Sequence, residues 1–291
     1  METRFTHGGD DHILCICAED MSFEAFFKGL TATRLLRESA IAGITDIVGS
    51  HASYMVRFDP GVIGPTDMLR EVQAIDRAAA QSEPVMHTRI IEVPVYYNDP
   101  WSRETMERFR DRRQAPAGTD LEYAASVNGH ASVESFIAAH HGSPWFVSLV
   151  GFVCGVPSLF QLAERSRQIQ TPKYIRPRTD TPRHVVGHGG AFGCIYAVRG
   201  AGGYQMFGIT PLPIFDPTSR MRYLAGDMVF FRPGDIVKYE PIERDEYEDV
   251  RAAVEDNRFE PRIRPVRFDL RDLEHDMAAY KHTLVEVLHD R

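Results

Sequence analysis

Three side chains suited to binding or proton transfer fall in one stretch of the sequence, Pro177–Asp216. Arg183 carries a guanidinium fork that could hold a carboxylate or carbonyl oxygen by two parallel hydrogen bonds. His188 has an imidazole that can transfer a proton near neutral pH, and Thr210 offers a hydroxyl donor. These residues predict a site that polarises a carbonyl group. For Arg183, the alternative is an ordinary ion pair with a neighbouring structural acid such as Asp180.

Eight glycines between Gly187 and Gly208 interrupt short apolar runs. Such a density disfavours helix and is typical of short strands joined by tight loops. Backbone N–H groups in these loops can approach a polar ligand closely, and a glutamine or tyrosine side chain there could read an amide. The predicted binding residues of these loops are Gly189, Gly190, Gly203, Tyr204 and Gln205. The alternative is that the glycines serve only tight β-turns.

The remaining reactive residue types give no metal site and no nucleophile. His184 and His188 lie four apart and would share a face of a strand, but no third ligand lies nearby, so we expect no metal. The chain contains no Ser-x-x-Lys, Gly-x-Ser-x-Gly or P-loop motif. Cys154 has no recognisable activating partner. We therefore expect catalysis, if present, to depend on hydrogen-bond donors.

The elements that must position these residues indicate an α+β chain in three parts. Residues 1–90 show the order β-α-β-β-α-β, which is typical of a ferredoxin-like domain with one antiparallel sheet. Its last strand is predicted at residues 88–97, and Thr66 is the candidate N-cap of its second helix. Residues 91–242 predict mainly short strands and turns, hence a closed or nearly closed β-barrel. Residues 243–291 predict a helical extension, with apolar residues at helical spacing from Leu270 to Leu284.

A polar, charged insert interrupts the barrel segment at about residues 98–119. Within it, Trp101–Arg113 has the pattern of a short amphipathic helix. Two interpretations stay open: a solvated surface excursion, or a lid or subunit contact.

Composition indicates an ordinary globular protein with an acidic balance. The formal net charge of −8 argues against nucleic acid or an anionic membrane as partner. No apolar run approaches the ~18–20 residues of a membrane span, and the first residues lack the apolar core of a signal peptide. Four cysteines in apolar surroundings favour buried free thiols. They are Cys15, Cys17, Cys154 and Cys194. We expect a cytoplasmic protein.

Five short motifs, in a fixed order, carry a family resemblance. They are Gly151–Val156 (GFVCGV), Thr181-Pro182-Arg183, Gly202-Gly203-Tyr204, Gly208-Ile209-Thr210-Pro211 and Arg232-Pro233-Gly234-Asp235. In this order they resemble the family of the 5-oxoprolinase B subunit, allophanate hydrolase subunit 1 and the carboxyltransferase domain of urea carboxylase. A sporulation kinase inhibitor belongs to the same family. The resemblance extends from about Gly9 to the end of the sequence.

The chain departs from the family pattern at four positions. Cys154 and Val156 replace a proline and a phenylalanine, and Tyr204 replaces a tryptophan. Ile209 replaces an arginine.

The resemblance implies a ferredoxin-like domain followed by a cyclophilin-like barrel. It also implies that Arg183 is a site residue, and it matches His141 and Asp120 to family positions that would bind substrate. Each of the last two has a structural alternative. His141 could be a cation at a helix C-terminus, and Asp120 could be an ordinary helix N-cap.

The function that the resemblance implies is one subunit of a heteromeric enzyme that processes an amide, lactam or urea. A homologous second subunit would complete the active site. This chain alone would bind no cofactor: ATP would bind a further subunit in the 5-oxoprolinase branch, and carboxybiotin would deliver a carboxyl group in the urea carboxylase branch. The alternatives are the carboxyltransferase component of a biotin-dependent enzyme and a non-catalytic binding or kinase-inhibitor module.

Overall fold

The computed structural model of the protein describes residues 2–224 and 226–289. The chain folds as two compact units. The first runs to Met86 and includes Phe268–Glu274, and the second comprises His87–Arg267 and the residues from His275 onwards. The C-terminal segment thus contributes to both units, and the predicted division at residues 90 and 242 stays a prediction. Every helix in the part of the chain that the structure describes is too short or too polar to cross a membrane.

The first unit is a four-stranded antiparallel sheet with two helices. Its strands, in the order β1-β2-β4-β3, are β1 (Arg4–His7), β2 (His12–Ile16), β3 (Ile44–Ser50) and β4 (Ser53–Phe58). Helices α1 (Phe23–Ser39) and α2 (Pro65–Gln81) share one apolar core with this sheet. The prediction that residues 88–97 complete this sheet is wrong. The fourth strand is β1, which pairs with β2 across a tight turn at Gly9.

Local sequence accounts for the helix starts and for the thiols of the first unit. The Ser22 side chain accepts a hydrogen bond from the N–H of Ala25 and caps α1. Gly64 precedes α2, with a proline at the first helical position, so the predicted cap at Thr66 is wrong. Cys15 and Cys17 are buried as predicted, and burial raises their pKa values to about 12 and about 11. Cys154 of the second unit is exposed, so its predicted burial is wrong.

The second unit is organised by an eight-stranded sheet that closes on itself. Its strands are β5 (Val85–Tyr97), β6 (Trp145–Val150), β7 (Pro157–Gln161), β9 (Val185–Gly189), β10 (Phe192–Ile195), β12 (Gln205–Ile209), β13 (Ile236–Pro241) and β14 (Ile263–Asp269). The order is β12-β9-β10-β7-β6-β13-β5-β14, and β12 also pairs with β5. Seven strands therefore close into a ring, with β14 added outside. A separate ribbon pairs β8 (Arg178–Thr181) with β11 (Gly200–Gly202).

Three α-helices lie between β5 and β6 in the chain, and the first of them is in the insert. They are α3 (Pro100–Arg108), α4 (Asp120–Val127) and α5 (Val133–Gly142). Met106 of α3 is buried with Val185 and Met206 of the barrel. The insert is therefore packed on the barrel, and the interpretation as a solvated excursion is wrong. The sequence pattern of the insert indicated this packing poorly, because only a few residues of the insert are apolar.

The C-terminal segment contains α6 (Arg244–Glu255), α7 (Leu270–His275) and α8 (Met277–His289). The apolar spacing predicted one helix across the last two, but the chain breaks at Asp276. Its carboxylate accepts a hydrogen bond from the N–H of Ala279, as an N-cap does. A capping residue inside a periodic pattern thus starts a new helix.

Candidate functional site

The predicted site residues divide between the two ends of one strand pair. In the antiparallel pairing of β9 with β12, Val185 lies opposite Ile209, and His188 lies opposite Gln205. Thr210 follows Ile209 and donates its N–H to the carbonyl of His184 at 3.0 Å. Arg183 and His184 form a turn, and the strand from Val185 to Gly189 spans four residue steps, about 13 Å when extended. Arg183 and Thr210 therefore lie at the opposite end of this strand from Gly189, and the prediction that Arg183, His188 and Thr210 form one site is wrong.

At the Arg183 end no group of hydrogen-bond donors converges. Arg183 is exposed and has no hydrogen bond or ion pair with any residue in 2–224 or 226–289. The alternative pairing with Asp180 is absent too, because that carboxylate binds Arg199 at 2.6 Å and Arg108 at 2.7 Å. Thr210 is buried, and its hydroxyl accepts a hydrogen bond from Leu212.

The insert and the C-terminal segment explain the isoleucine at position 209. Ile209 is buried in a cluster with Tyr247 of α6 and with Trp101 of α3. The Trp101 and Tyr247 rings lie 5.3 Å apart. An apolar side chain fits this environment, in which burying a guanidinium would require its desolvation.

His188 is a neutral residue of the barrel interior. It is fully buried, stacks on Phe207 at 6.2 Å between ring centroids and meets Trp145 edge-on. Its Nε2 donates to the carbonyl of Gly190 at 3.1 Å. Burial lowers the pKa of His188 to about 4. The imidazole therefore supports the glycine loop and does not face solvent.

His141 lies in the last turn of α5, beside the ring of Tyr97. Burial and, next, the charge of Lys238 lower the pKa of His141. A histidine with a lowered pKa is mostly neutral near pH 7, which disfavours its interpretation as a helix C-terminal cation.

The other end of the strand pair gathers the glycine loops. Gly189 lies under the Tyr204 ring, so closely that an added Cβ would be 2.8 Å from the ring carbon Cγ. Gly203 accepts a hydrogen bond from the N–H of Tyr174 at 2.7 Å. The Gln205 amide donates to the carbonyl of Pro172 at 2.7 Å. These predicted residues therefore lie together, and the close approach of Tyr204 explains the glycine at position 189.

Asp120 lies at the same end, fully buried. Both of its carboxylate oxygens accept the hydroxyl of Tyr174, at 2.8 and 2.9 Å, and one accepts the N–H of Met206 at 2.8 Å. The N-cap of α4 is Thr119, in a capping box with Glu122, so the interpretation of Asp120 as the N-cap is wrong. Burial raises the pKa of Asp120, while its hydrogen bonds act in the opposite direction.

The central side chain of this end is Arg178, which the sequence analysis missed. It is fully buried, and its guanidinium lies 4.3 Å from the centre of the Tyr174 ring. Nε donates to the hydroxyl of Thr181 at 3.1 Å, and Nη2 reaches the hydroxyl of Tyr196 at 3.5 Å. Its Nη1 is buried and has no partner within the described part of the chain.

A signal for Arg178 was present in the sequence. Within Pro177–Asp216 the pair Pro-Arg occurs twice, at residues 177–178 and 182–183, and only the second was interpreted as functional. The structure shows that the first arginine is buried among the glycine loops and that the second is exposed.

Two hydroxyl groups and a glycine pack closely around the arginine. The hydroxyl of Tyr196 accepts the N–H of Tyr204 at 3.3 Å. A Cβ at Gly202 would lie 2.5 Å from this hydroxyl and 2.7 Å from the hydroxyl of Thr181. Glycine is therefore required at this position for the tyrosine and threonine to meet the arginine.

This arrangement can hold and polarise an oxygen, but it contains no activated nucleophile. Arg178 and Tyr196 offer directed N–H and O–H donors in surroundings that exclude most water. Cys194 lies nearby, and burial raises the pKa of its thiol to about 12, so the thiol stays protonated. In residues 2–224 and 226–289, no three histidine, cysteine or acidic side chains converge on a metal-sized site.

Comparison with known proteins relates this fold to one family. The family model described as "Carboxyltransferase domain, subdomain C and D" matches residues 3–225. The chain is 24% identical over 272 residues to the urea amidolyase of Saccharomyces cerevisiae, covering 91% of this chain and 15% of that protein. It is 26% identical over 248 residues to the 5-oxoprolinase B subunit of Bacillus subtilis, covering 82% of this chain and 92% of that protein.

Solved structures give the same fold. The crystal structure of the K. lactis urea amidolyase matches 99% of this chain with a TM-score of 0.81 at 20% identity, over 18% of that chain. The Kluyveromyces lactis urea carboxylase matches 99% with a TM-score of 0.80 at 19% identity, over 26% of that chain. This chain therefore spans a minor part of the long urea-processing proteins and nearly the full length of the B. subtilis protein.

Proposed function

Because this chain belongs to the family of the carboxyltransferase domain, subdomain C and D, we propose that it is an enzyme subunit that acts on a small amide, lactam or urea-type substrate. The observation that supports this most directly is Arg178, a buried guanidinium beside the glycine loops whose Nη1 has no partner among the described residues. A buried donor without a partner is costly for stability, and is typical of a site where a ligand completes the hydrogen bonds.

The chain's own residues would act by polarising a carbonyl oxygen. Nη1 of Arg178 and the hydroxyl of Tyr196 would donate to this oxygen and stabilise the negative charge that develops on it. Stacking on Tyr174 and the hydrogen bond to Thr181 hold the guanidinium in place. Preorganised donors of this kind need no motion during the reaction, which is the reason they accelerate it.

A homologous second subunit would complete the site, since this chain supplies donors and no nucleophile. ATP would bind a further subunit, because the chain has no P-loop motif. In a carboxyltransferase, bound carboxybiotin would supply the activated carboxyl group. This chain would provide Arg178 as a hydrogen-bond donor to that carboxyl group.

A biotin-dependent carboxyltransferase of the urea carboxylase type is the second candidate, and the C-terminal segment favours it. In the sequence comparison, the likeness to the urea amidolyase of S. cerevisiae covers 91% of this chain and that to the 5-oxoprolinase B subunit of B. subtilis covers 82%. The structural likeness to the K. lactis urea amidolyase covers 99% of this chain. The family model ends at residue 225. Helices α6 to α8 therefore have a counterpart in the long urea-processing fold.

We also propose that the first unit is a ferredoxin-like domain, that the second contains a cyclophilin-like barrel, and that the protein is cytoplasmic. The sheet with two helices in the first unit supports a ferredoxin-like domain, and the seven-strand ring supports a cyclophilin-like barrel. The buried thiols Cys15, Cys17 and Cys194 support a cytoplasmic protein.

Co-purification with a second, homologous carboxyltransferase-family subunit tests the proposal. We expect a stable complex, burying more than ~1,000 Å², that turns over 5-oxoproline with ATP or urea with a biotin carboxylase component. A complex that forms but is inactive with both substrates would refute the enzymatic role. A chain that stays monomeric beside the second subunit would refute the shared site.

A further inference from the structure

Two buried arginines lie beside a single carboxylate at the glycine-loop end of the barrel. Arg178 is 0% exposed, Arg113 is 3% exposed and Asp120 is 0% exposed. Nη1 of Arg113 lies 3.6 Å from Oδ1 of Asp120, and both arginines act electrostatically on Asp120 and on Tyr174. With two guanidinium groups and one carboxylate, this cluster carries at least one surplus positive charge. A buried charge without compensation is strongly unfavourable.

Each guanidinium also has one nitrogen without a partner. Arg113 donates from Nη1 to the carbonyl of Gly118 at 2.7 Å and from Nη2 to that of Pro116 at 2.9 Å, but its Nε has no partner among residues 2–224 and 226–289. Within the same residues, Nη1 of Arg178 has no partner either. The surplus charge and the unused donors are independent observations, and both favour an anion as the ligand of this cluster.

We infer that Arg113 and Arg178 bind a small planar monoanion, which is an organic carboxylate or bicarbonate. One negative charge balances the surplus when Asp120 is ionised, whereas a phosphate dianion would exceed it. Guanidinium N–H groups match the planar oxygens of a carboxylate better than a spherical ion. The inference rests on the proposed function, since it names the anionic group that a substrate or a carboxyl donor would bring to the same site.

Arg113 makes this site particular to the present chain. It lies in the insert of residues 98–119, which interrupts the pattern of the resembling family. The insert thus contributes a buried charge to the site, and Arg113 would determine specificity for an anionic ligand.

Thermal unfolding of the purified full chain tests the inference without turnover. Sodium acetate, bicarbonate, phosphate and chloride are compared at pH 8 and constant ionic strength. Acetate or bicarbonate should raise the melting temperature saturably, and more than the other two. A larger effect of acetate identifies an organic carboxylate, and a larger effect of bicarbonate identifies bicarbonate. Equal effects of all four anions overturn the inference.

Variants locate the effect. Arg113→Gln should remove the acetate and bicarbonate response, and Arg113→Lys should raise the half-effective concentration about tenfold or more, because a charge-assisted hydrogen bond is lost. Arg110→Gln is the matched control, since Arg110 is 70% exposed on the neighbouring turn. If Arg113→Gln does not fold, Arg113→Lys decides alone. A full response in either folded Arg113 variant overturns the inference.

The anion response and the activity of the complex can fail separately. A normal response in an inactive complex refutes the proposed function alone. Turnover without any specific anion response refutes this inference alone.

Discussion

The contact between Gly189 and Tyr204 gives a sharp test of the glycine-loop geometry. An added Cβ at Gly189 would lie 2.7 Å from Cε1 and 2.8 Å from Cγ of the Tyr204 ring. The ring is half-buried, and the Lys173 ammonium lies 5.1 Å from its centre, so its movement away from the added methyl group is restricted. Forcing a methyl group into such a packed site typically costs about 1–3 kcal/mol. We therefore expect Gly189→Ala to lose that much free energy of unfolding.

Urea unfolding of the full chain measures this loss against two references. Gly193→Ala is the matched control, since Gly193 is also buried in a strand and its added Cβ would lie 3.4 Å from Trp145, an ordinary contact. It should change the free energy of unfolding by less than about 1 kcal/mol. In a double-mutant cycle, Tyr204→Ala should cost at least about 1 kcal/mol less in the Gly189→Ala background. Equal stability of the two glycine variants would refute the reasoning.

Two further predictions concern pH and the departure at position 209. Burial lowers the pKa values of His184 and His188 to about 4. A histidine of the unfolded chain titrates near 6.5, so folding stability should fall by about 1.4 kcal/mol per pH unit and per histidine as the pH drops from about 6.5 towards 4. Urea unfolding of His188→Phe should show a weaker dependence of stability on pH. An unchanged dependence would contradict the lowered pKa of His188. Ile209→Arg should destabilise the chain by at least about 2 kcal/mol, because the charge would be buried against Tyr247. Val198→Arg, at an exposed site, should be nearly neutral in the same assay, and equal costs would count against this packing.

The sequence predicted the strand-rich barrel and most of the helices because their signals are local. Alternating apolar residues, capping residues and glycine density act within a few positions. Strand pairing is not local: β1 and residues 88–97 are both plausible edges for the first sheet, and only the register of the pairing decides between them. The packing of the insert was missed for a related reason, since few apolar residues such as Met106 attach it to the barrel.

The candidate site was predicted in part. The glycine loops and Asp120 do lie together. The loops were predictable because a side chain packed directly against the backbone, as Tyr204 is on Gly189, requires glycine there. Residue types alone could not distinguish the two Pro-Arg pairs of this stretch, because Arg178 and Arg183 are the same residue type and differ in burial. The burial of Arg178 under Tyr174 is a consequence of tertiary structure.

The most direct measurement of the central claim is the turnover of the two-subunit complex with Arg178→Lys and with Arg183→Lys. Both changes keep the charge and remove the guanidinium fork. The account predicts that Arg178→Lys lowers kcat/KM by about 10²–10³-fold, equivalent to the loss of one oxyanion donor, with the complex still assembled. Arg183→Lys should retain full activity, because its side chain is exposed. Normal turnover by Arg178→Lys, or an equal loss in Arg183→Lys, would contradict the account.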